Sequence, residues 1–258
     1  MDIPKNGFKQ ALLQGRRQIG LWMGLADPYV AELLATTGFD CLVIDAEHSP
    51  NDPRSVLPQL QALAAYPVHP IVRPVVGSTE LIKQYLDLGA QSLIIPMVET
   101  AEQAGRMVAA TRYPTRGVRG VGSTLARASR WNQVDDYLKR SDDEICVLVQ
   151  VESVKALANL DSIAAVDGVD GIFFGPSDLA ASMGLLGKPA DPAVRTAILQ
   201  GIDAVRRAGK AAATLTPDRK LAHEYLDRGA AFVAVGADGT LLLRAAKELA
   251  AEFKKSGP

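Results

Sequence analysis

The sequence predicts an α/β protein built as a single (β/α)8 barrel. Three observations carry that reading. Eight short runs rich in Val, Ile, Leu and Phe alternate with helical stretches, the order expected of parallel strands joined by right-handed crossovers. The runs are continuously apolar, as strands covered on both faces are. The length, 258 residues, is close to that of a closed barrel of eight units. With no linker or low-complexity segment, one domain is expected to span residues 1–258.

The first strand covers residues 19–24 (IGLWMG). A helix follows over 28–37, with Pro28 in its first turn and Gly38 as its stop. The second strand is 41–45 (CLVID); the loop AEHSPND and a helix over 53–65 come next. The third strand has its core at 70–73 and is halted by Pro74. A helix over 78–88 ends at Gly89, and the fourth strand, 92–96 (SLIIP), leads to a helix over 100–111. Residues 113–143 then break the rhythm with Gly, Arg and aromatic residues and no strong strand. Long irregular insertions of this kind tend to be functional. The fifth strand, 145–151, and the sixth, 171–174, are separated by a helical stretch. A helix over 191–208 stops at Gly209. The seventh strand is 210–215, its helix 217–228, and the eighth strand 231–235. A last helix runs from 240 to 254.

Composition narrows the function. A net charge of -1 without a basic stripe argues against nucleic acid as a partner. No apolar run approaches the roughly 20 residues that cross a bilayer, and the first twenty residues lack the apolar core of a signal peptide. Cys41 and Cys146 each stand near the start of an apolar run and read as buried reduced thiols. A cytoplasmic enzyme acting on a small molecule is expected.

In parallel barrels the chemistry sits at the C-terminal ends of the strands. Polar residues gather there. Trp22 lies near the end of the first strand. Asp45 ends the second, with His48 three residues on, and Arg73 ends the third. Gln150 and Glu152 end the fifth, two apart and so on one side of an extended strand. Ser177 and Asp178 follow the sixth. Each has a plain structural reading as well. Glu152 would lie beside a Ser153 cap, Ser177 or Asp178 would cap the next helix, Asp45 would cap its own, and Arg73 would meet a surface acid. Their convergence favours a site. Two acids at two strand ends, with no basic residue beside them in sequence, suit a hard divalent cation. Of the three histidines, only His48 lies toward this face; His69 precedes its strand core and His223 is in mid-helix. An Asp three residues before His48 would orient it and keep it basic. Lys83, Lys155 and Lys220 fall in helical stretches and Lys210 begins a strand, so no lysine suits a Schiff base, and a metal is the expected electron sink. The run GVRGVG has neither Walker nor Rossmann spacing. Its Arg119, with Arg127 and Arg130, is read as meeting a neighbouring subunit or a substrate carboxylate.

The segments IGLWMGL, DAEHSPN, IVRP, RYPTRGVRGVGSTLARASRWN, VLVQVES, GPSDLAASMG and FVAVGAD stand in one order along the chain. Through them the sequence resembles the HpcH/HpaI family of metal-dependent pyruvate aldolases over nearly its whole length. The resemblance implies one divalent ion per subunit (Mg²⁺, Mn²⁺ or Co²⁺) on Glu152 and Asp178. It implies a pyruvate site lined by Gln150 and by the Ser177 backbone, where relatives often carry Ala or Asn; the position of Trp22 at the end of its strand offers an aromatic wall beside it. Arg73 would stabilise the enolate, and His48 would be the acid/base with Asp45 in its hydrogen-bonding shell. Asp87 would raise the basicity of that histidine from a neighbouring subunit, a role that rests on resemblance alone. A homohexamer, a trimer of dimers with the last helix exchanged, is implied too. So is cleavage of a 4-hydroxy-2-oxo acid, within aromatic catabolism, to pyruvate and an aldehyde. Alternatives are a sugar-acid aldolase or oxaloacetate decarboxylase of the same superfamily, and a non-catalytic barrel that binds oxo acids. A phosphate-binding barrel isomerase ranks last, since TLTPD and VGADGT offer no Gly-rich grip.

Overall fold

Each apolar run forms a strand that neighbours cover on both sides. A computed structural model describes residues 1–254. Its strands are β1 (Gln18–Met23), β2 (Cys41–Asp45), β3 (His69–Arg73), β4 (Ser92–Ile95), β5 (Cys146–Val151), β6 (Gly171–Phe174), β7 (Ala211–Leu215) and β8 (Phe232–Ala237). All pair in parallel and in chain order, and β8 returns to β1 to close the barrel. At that seam Gln18 lies beside Phe232, and the register shifts between Gly20 and Trp22. The fold is thus the expected (β/α)8 barrel.

The helices are α1 (Gly7–Leu13), α2 (Pro28–Ala35), α3 (Pro53–Leu63), α4 (Thr79–Leu88), α5 (Ala101–Thr111), α6 (Tyr137–Arg140), α7 (Val154–Ala158), α8 (Leu160–Ala164), α9 (Pro176–Ser182), α10 (Pro192–Arg207), α11 (Arg219–Arg228) and α12 (Asp238–Lys254). Their starts follow local chemistry. The side chains of Asp27, Asp52, Ser78, Thr100, Ser153, Asp191 and Asp218 each accept a first-turn backbone N–H, which offsets the unpaired donors of a helix N-terminus. The irregular stretch after α5 holds turns and a 3₁₀ turn at Arg127–Ser129. Among the described residues, no helix is long and apolar enough to cross a membrane.

The period of two along each strand builds two cores. Cys41, Val43, Ile71, Cys146, Leu148, Phe173 and Phe232 fill the barrel interior. Leu42, Ile44, Val72, Val147, Val149 and Phe174 point outward and pack under the helices. Helix α1, which sequence periodicity does not flag, plugs the N-terminal mouth. Its Phe8 is fully buried and meets Phe232 edge to face at 5.5 Å. Asn6 fastens it, donating to the Gln91 and Glu144 carbonyls and to Ser92 Oγ. His69, at the start of β3, packs against Gly7 at this end, and His223 is exposed on α11. Both lie where the sequence puts them.

Candidate active site

The inward rows of the strands run into polar residues at the C-terminal mouth. Gly20 and Trp22 share one phase of β1; Cys41, Val43 and Asp45 one phase of β2; Ile71 and Arg73 one phase of β3. Cys146, Leu148 and Gln150 continue in step to Glu152. The periodicity that fills the interior with apolar side chains thus aims Asp45, Arg73, Gln150 and Glu152 into one space.

Arg73 is the hub. Its Nε and Nη2 donate to Asp45 Oδ1 and Oδ2, each at 2.8 Å. Its Nη1 lies 2.8 Å from Glu47 Oε2 and 3.5 Å from Gln150 Oε1. The guanidinium sits 4.8 Å above the Trp22 ring, which itself leans on Phe173. Arg73 and Asp45 are register partners in the β2–β3 pair, so the fork-to-fork bond follows from strand pairing. It also corrects one expectation. The Asp45 carboxylate clamps Arg73; on the His48 side it accepts the backbone N–H groups of Glu47 and His48, at 3.0 and 3.5 Å, and does not bond the imidazole. Burial works against the ionised Asp45, but the hydrogen bonds and charge of Arg73 outweigh it, and its pKa falls below the ordinary value.

The carboxylate facing His48 is Glu47, whose Oε2 lies 3.8 Å from Nε2. Sequence reasoning passed over Glu47. Its signal was an acid between Asp45 and His48 in DAEHSPN, but a loop has no periodicity to show which way a side chain turns. Burial raises the Glu47 pKa, with Asp45 and Asp178 adding to the rise and Arg73 and His48 opposing it. The His48 side chain itself is 63% exposed, outside the packed mouth.

Glu152 is 3% exposed. Its Oε1 accepts the Met97 N–H at 2.7 Å, and its Oε2 accepts from Gln150 Nε2 at 2.7 Å. It is not a helix cap; Ser153 takes that place in α7. Burial pushes its pKa up to about 7; the Met97 N–H opposes this, and the charges of Glu47 and Asp178 add to it. Asp178 lies in the first turn of α9, whose N-cap is Gly175 with no side-chain cap bond, so neither Ser177 nor Asp178 caps that helix. Both are exposed at the mouth.

This donor set suits a divalent cation. A carboxylate whose pKa is raised by burial, with two other acids adding to the rise, has the environment that a bound cation relieves. Among the described residues, no three or more His, Cys, Asp or Glu form a ready-made cage. Glu152 and Asp178 would therefore hold the ion with water and substrate oxygens completing its shell, which is how hard ions with few protein ligands bind.

Asp87 is apart from all of this. It lies in the last turn of α4, and helices of such a barrel end at the N-terminal face, opposite the face whose β2 loop carries His48. Its partner is Arg119, at 2.7 Å. Arg119 is fully buried, contrary to the expectation that the GVRGVG arginine faces a substrate or a neighbouring subunit. Arg127 is turned inward too, donating to the Leu88 carbonyl at 2.8 Å.

The HpcH/HpaI aldolase/citrate lyase family model matches residues 18–245. A hydroxypyruvate/pyruvate aldolase of Pseudomonas aeruginosa is 60% identical over 258 residues, which is 100% of this chain and 96% of that protein. A 4-hydroxy-2-oxo-heptane-1,7-dioate aldolase of Salmonella dublin is 57% identical over 249 residues, 96% of this chain and 95% of that protein. The crystal structure of an HpcH/HpaI aldolase/citrate lyase family protein from Burkholderia cenocepacia J2315 matches with a TM-score of 0.93 and 39% identity. It covers 97% of this chain and 100% of that one. The protein is thus an enzyme, a carbon–carbon lyase on a (β/α)8 barrel. It belongs to the HpcH/HpaI aldolase/citrate lyase family.

Proposed function

We propose that the chain is a divalent-metal-dependent pyruvate aldolase, cleaving 4-hydroxy-2-oxo acids to pyruvate and an aldehyde and running the reverse addition. The observation that supports this most is the buried Glu152 carboxylate, crowded by Glu47 and Asp178 beside the Arg73 guanidinium. Glu152 and Asp178 would be the ligands of one Mg²⁺, Mn²⁺ or Co²⁺ per subunit. When bound, that ion supplies Lewis acidity to the 2-oxo acid. Arg73 holds a fixed positive charge where negative charge develops on the keto oxygen, an electrostatic contribution made largest in the transition state. Asp45 and Trp22 hold the guanidinium in place. Gln150, whose amide is locked between Arg73 and Glu152, and the Ser177 backbone orient the oxo acid. His48 takes the C4 hydroxyl proton. The C3–C4 bond then breaks, the aldehyde carbonyl forms, and the electron pair passes into the enolate, which takes up a proton at C3 to give pyruvate. Asp87 of a neighbouring subunit raises the basicity of His48, in a homohexamer with α12 exchanged between partners.

The natural substrate has two readings. Cleavage of 4-hydroxy-2-oxoheptanedioate to pyruvate and succinate semialdehyde, in aromatic catabolism, follows the Salmonella relative. Use of hydroxypyruvate as the nucleophile follows the Pseudomonas relative, at 60% identity against 57%. Both need an enolate formed at C3 of a 2-oxo acid, with a hydroxyl on that carbon in the second case. Exchange of pyruvate methyl protons in D₂O, followed by NMR with metal, after chelation and after its return, tests that common step. Exchange that follows the metal is expected, and exchange indifferent to chelation would sink the metal reading. Cleavage of the heptanedioate, compared with hydroxypyruvate addition to an aldehyde, separates the two substrates. His48→Ala is expected to keep metal and pyruvate binding while losing about 10²–10⁴-fold in cleavage. A parallel loss of metal affinity would count against its acid/base role.

A further inference from the structure

Arg119 is an expensive residue where it stands. Its side chain is fully buried. Nη2 donates to Asp87 Oδ1 at 2.7 Å and lies 3.5 Å from Tyr137 Oη, while Nε and Nη1 meet no acceptor among the described residues. The guanidinium lies 4.6 Å from the Tyr113 ring and 6.0 Å from that of Tyr137, so two aromatic rings flank it. Taking a cation out of water with two donors unpaired is costly, and an apolar side chain of similar size between two tyrosines would cost less. Stability therefore does not account for this arginine.

Its one carboxylate partner does. Asp87 is the second-last residue of α4, the helix end where the dipole disfavours a negative charge. Its side chain is 28% exposed, and the bond to Arg119 engages only Oδ1. One oxygen is thus anchored to a rigid, buried cation while the other is left toward the surface. That is the arrangement of a carboxylate aimed for a donor outside its own fold.

We propose that Arg119 is a positioning residue for the lyase reaction, fixing Asp87 so that its second oxygen meets the His48 imidazole of a neighbouring copy of the chain. The inference rests on the reading of Asp87 given under Proposed function. It adds that each active site depends on the insertion after α5 of a different subunit.

The test is complementation between chains. Arg119→Met by itself is expected to lose about 10²-fold in kcat for cleavage with KM changed by no more than about threefold, the cost of a misplaced group. Arg119→Lys, which keeps a cation in the slot, is expected to recover part of that loss. An Arg119→Met chain is then co-expressed with a differently tagged His48→Ala chain, and mixed oligomers are isolated through both tags. Sites that combine a sound His48 from one chain with a sound Arg119 and Asp87 from the other should restore roughly a quarter of the wild-type rate for random assembly. Asp87→Ala co-expressed with His48→Ala is the control. If the control recovers and the Arg119→Met mixture does not, the role of Arg119 is overturned and that of Asp87 stands. If neither recovers while mixed oligomers form, the reading of Asp87 falls and takes this inference with it. Should Arg119→Met fail to assemble, Arg119→Lys replaces it in the same mixtures with the same criteria.

Discussion

Gly175 shows how little room surrounds the Glu152 carboxylate. A Cβ at that position would stand 2.2 Å from Glu152 Oε2, 3.0 Å from Glu152 Cβ and 3.2 Å from Gln150 Nε2. Its φ of -94° is open to any residue, so proximity and not backbone freedom demands glycine here. Gly175→Ala should displace Glu152 and its hydrogen bond to Gln150, with a fall of about 10²-fold in kcat/KM and a weaker metal affinity measured by calorimetry. Undiminished activity would mean that the carboxylate has somewhere else to go. At this scale the sequence was informative wherever a side chain belongs to a strand. Asp45, Arg73, Gln150 and Glu152 fall in the inward phase of their strands, and a period of two can be read without a structure. Glu47 and Arg119 were opaque for the opposite reason. Both stand in loops, where direction is set by tertiary partners: Arg73 for Glu47, and Tyr113, Tyr137 and Asp87 for Arg119.

Between elements, α10 seats on β6 through Gly201. A methyl group there would approach Phe174 Cζ to 2.5 Å and Cε1 to 2.6 Å, and Phe174 is fully buried. Replacing a mid-helix glycine by alanine gains roughly 0.5–1 kcal/mol of helix propensity. Overpacking against a ring with no free space costs about 1–3 kcal/mol. The second effect wins, so Gly201→Ala should lower the urea midpoint with an unchanged m-value; a raised midpoint would mean that the helix can ride outward. The same seating explains why the strands were easy to find. Strands sandwiched between barrel interior and helices need apolar residues on both faces, which leaves long unbroken runs. Helix α1 and the pair α7 and α8 span only a turn or two each, too short for an apolar period to establish itself, and α1 owes its place to Phe8, Leu12 and the bonds of Asn6.

For the whole molecule the telling element is α12. Leu242, Leu249 and Phe253 are 61%, 59% and 72% exposed. With Ala246 they fall at steps of four, three and four, which makes one stripe along the helix. Soluble monomers rarely leave such a stripe uncovered, in keeping with the proposed exchange of this helix between subunits. Light scattering coupled to size exclusion should give a hexamer for the full chain at micromolar concentration and a smaller, less active species after deletion of residues 239–258. A full chain that runs as a monomer would remove both the exchange and the shared active site. The order in which the barrel is made has a consequence of its own. Its seam joins Gln18 to Phe232, so β1 leaves the ribosome long before the strand that pairs with its free edge. Until β8 emerges, one edge of β1 offers unpaired backbone groups to any other chain that comes by. The seam is therefore among the last strand pairings a newborn chain can make, and the interval before it forms is when β1 is most open to pairing with another chain.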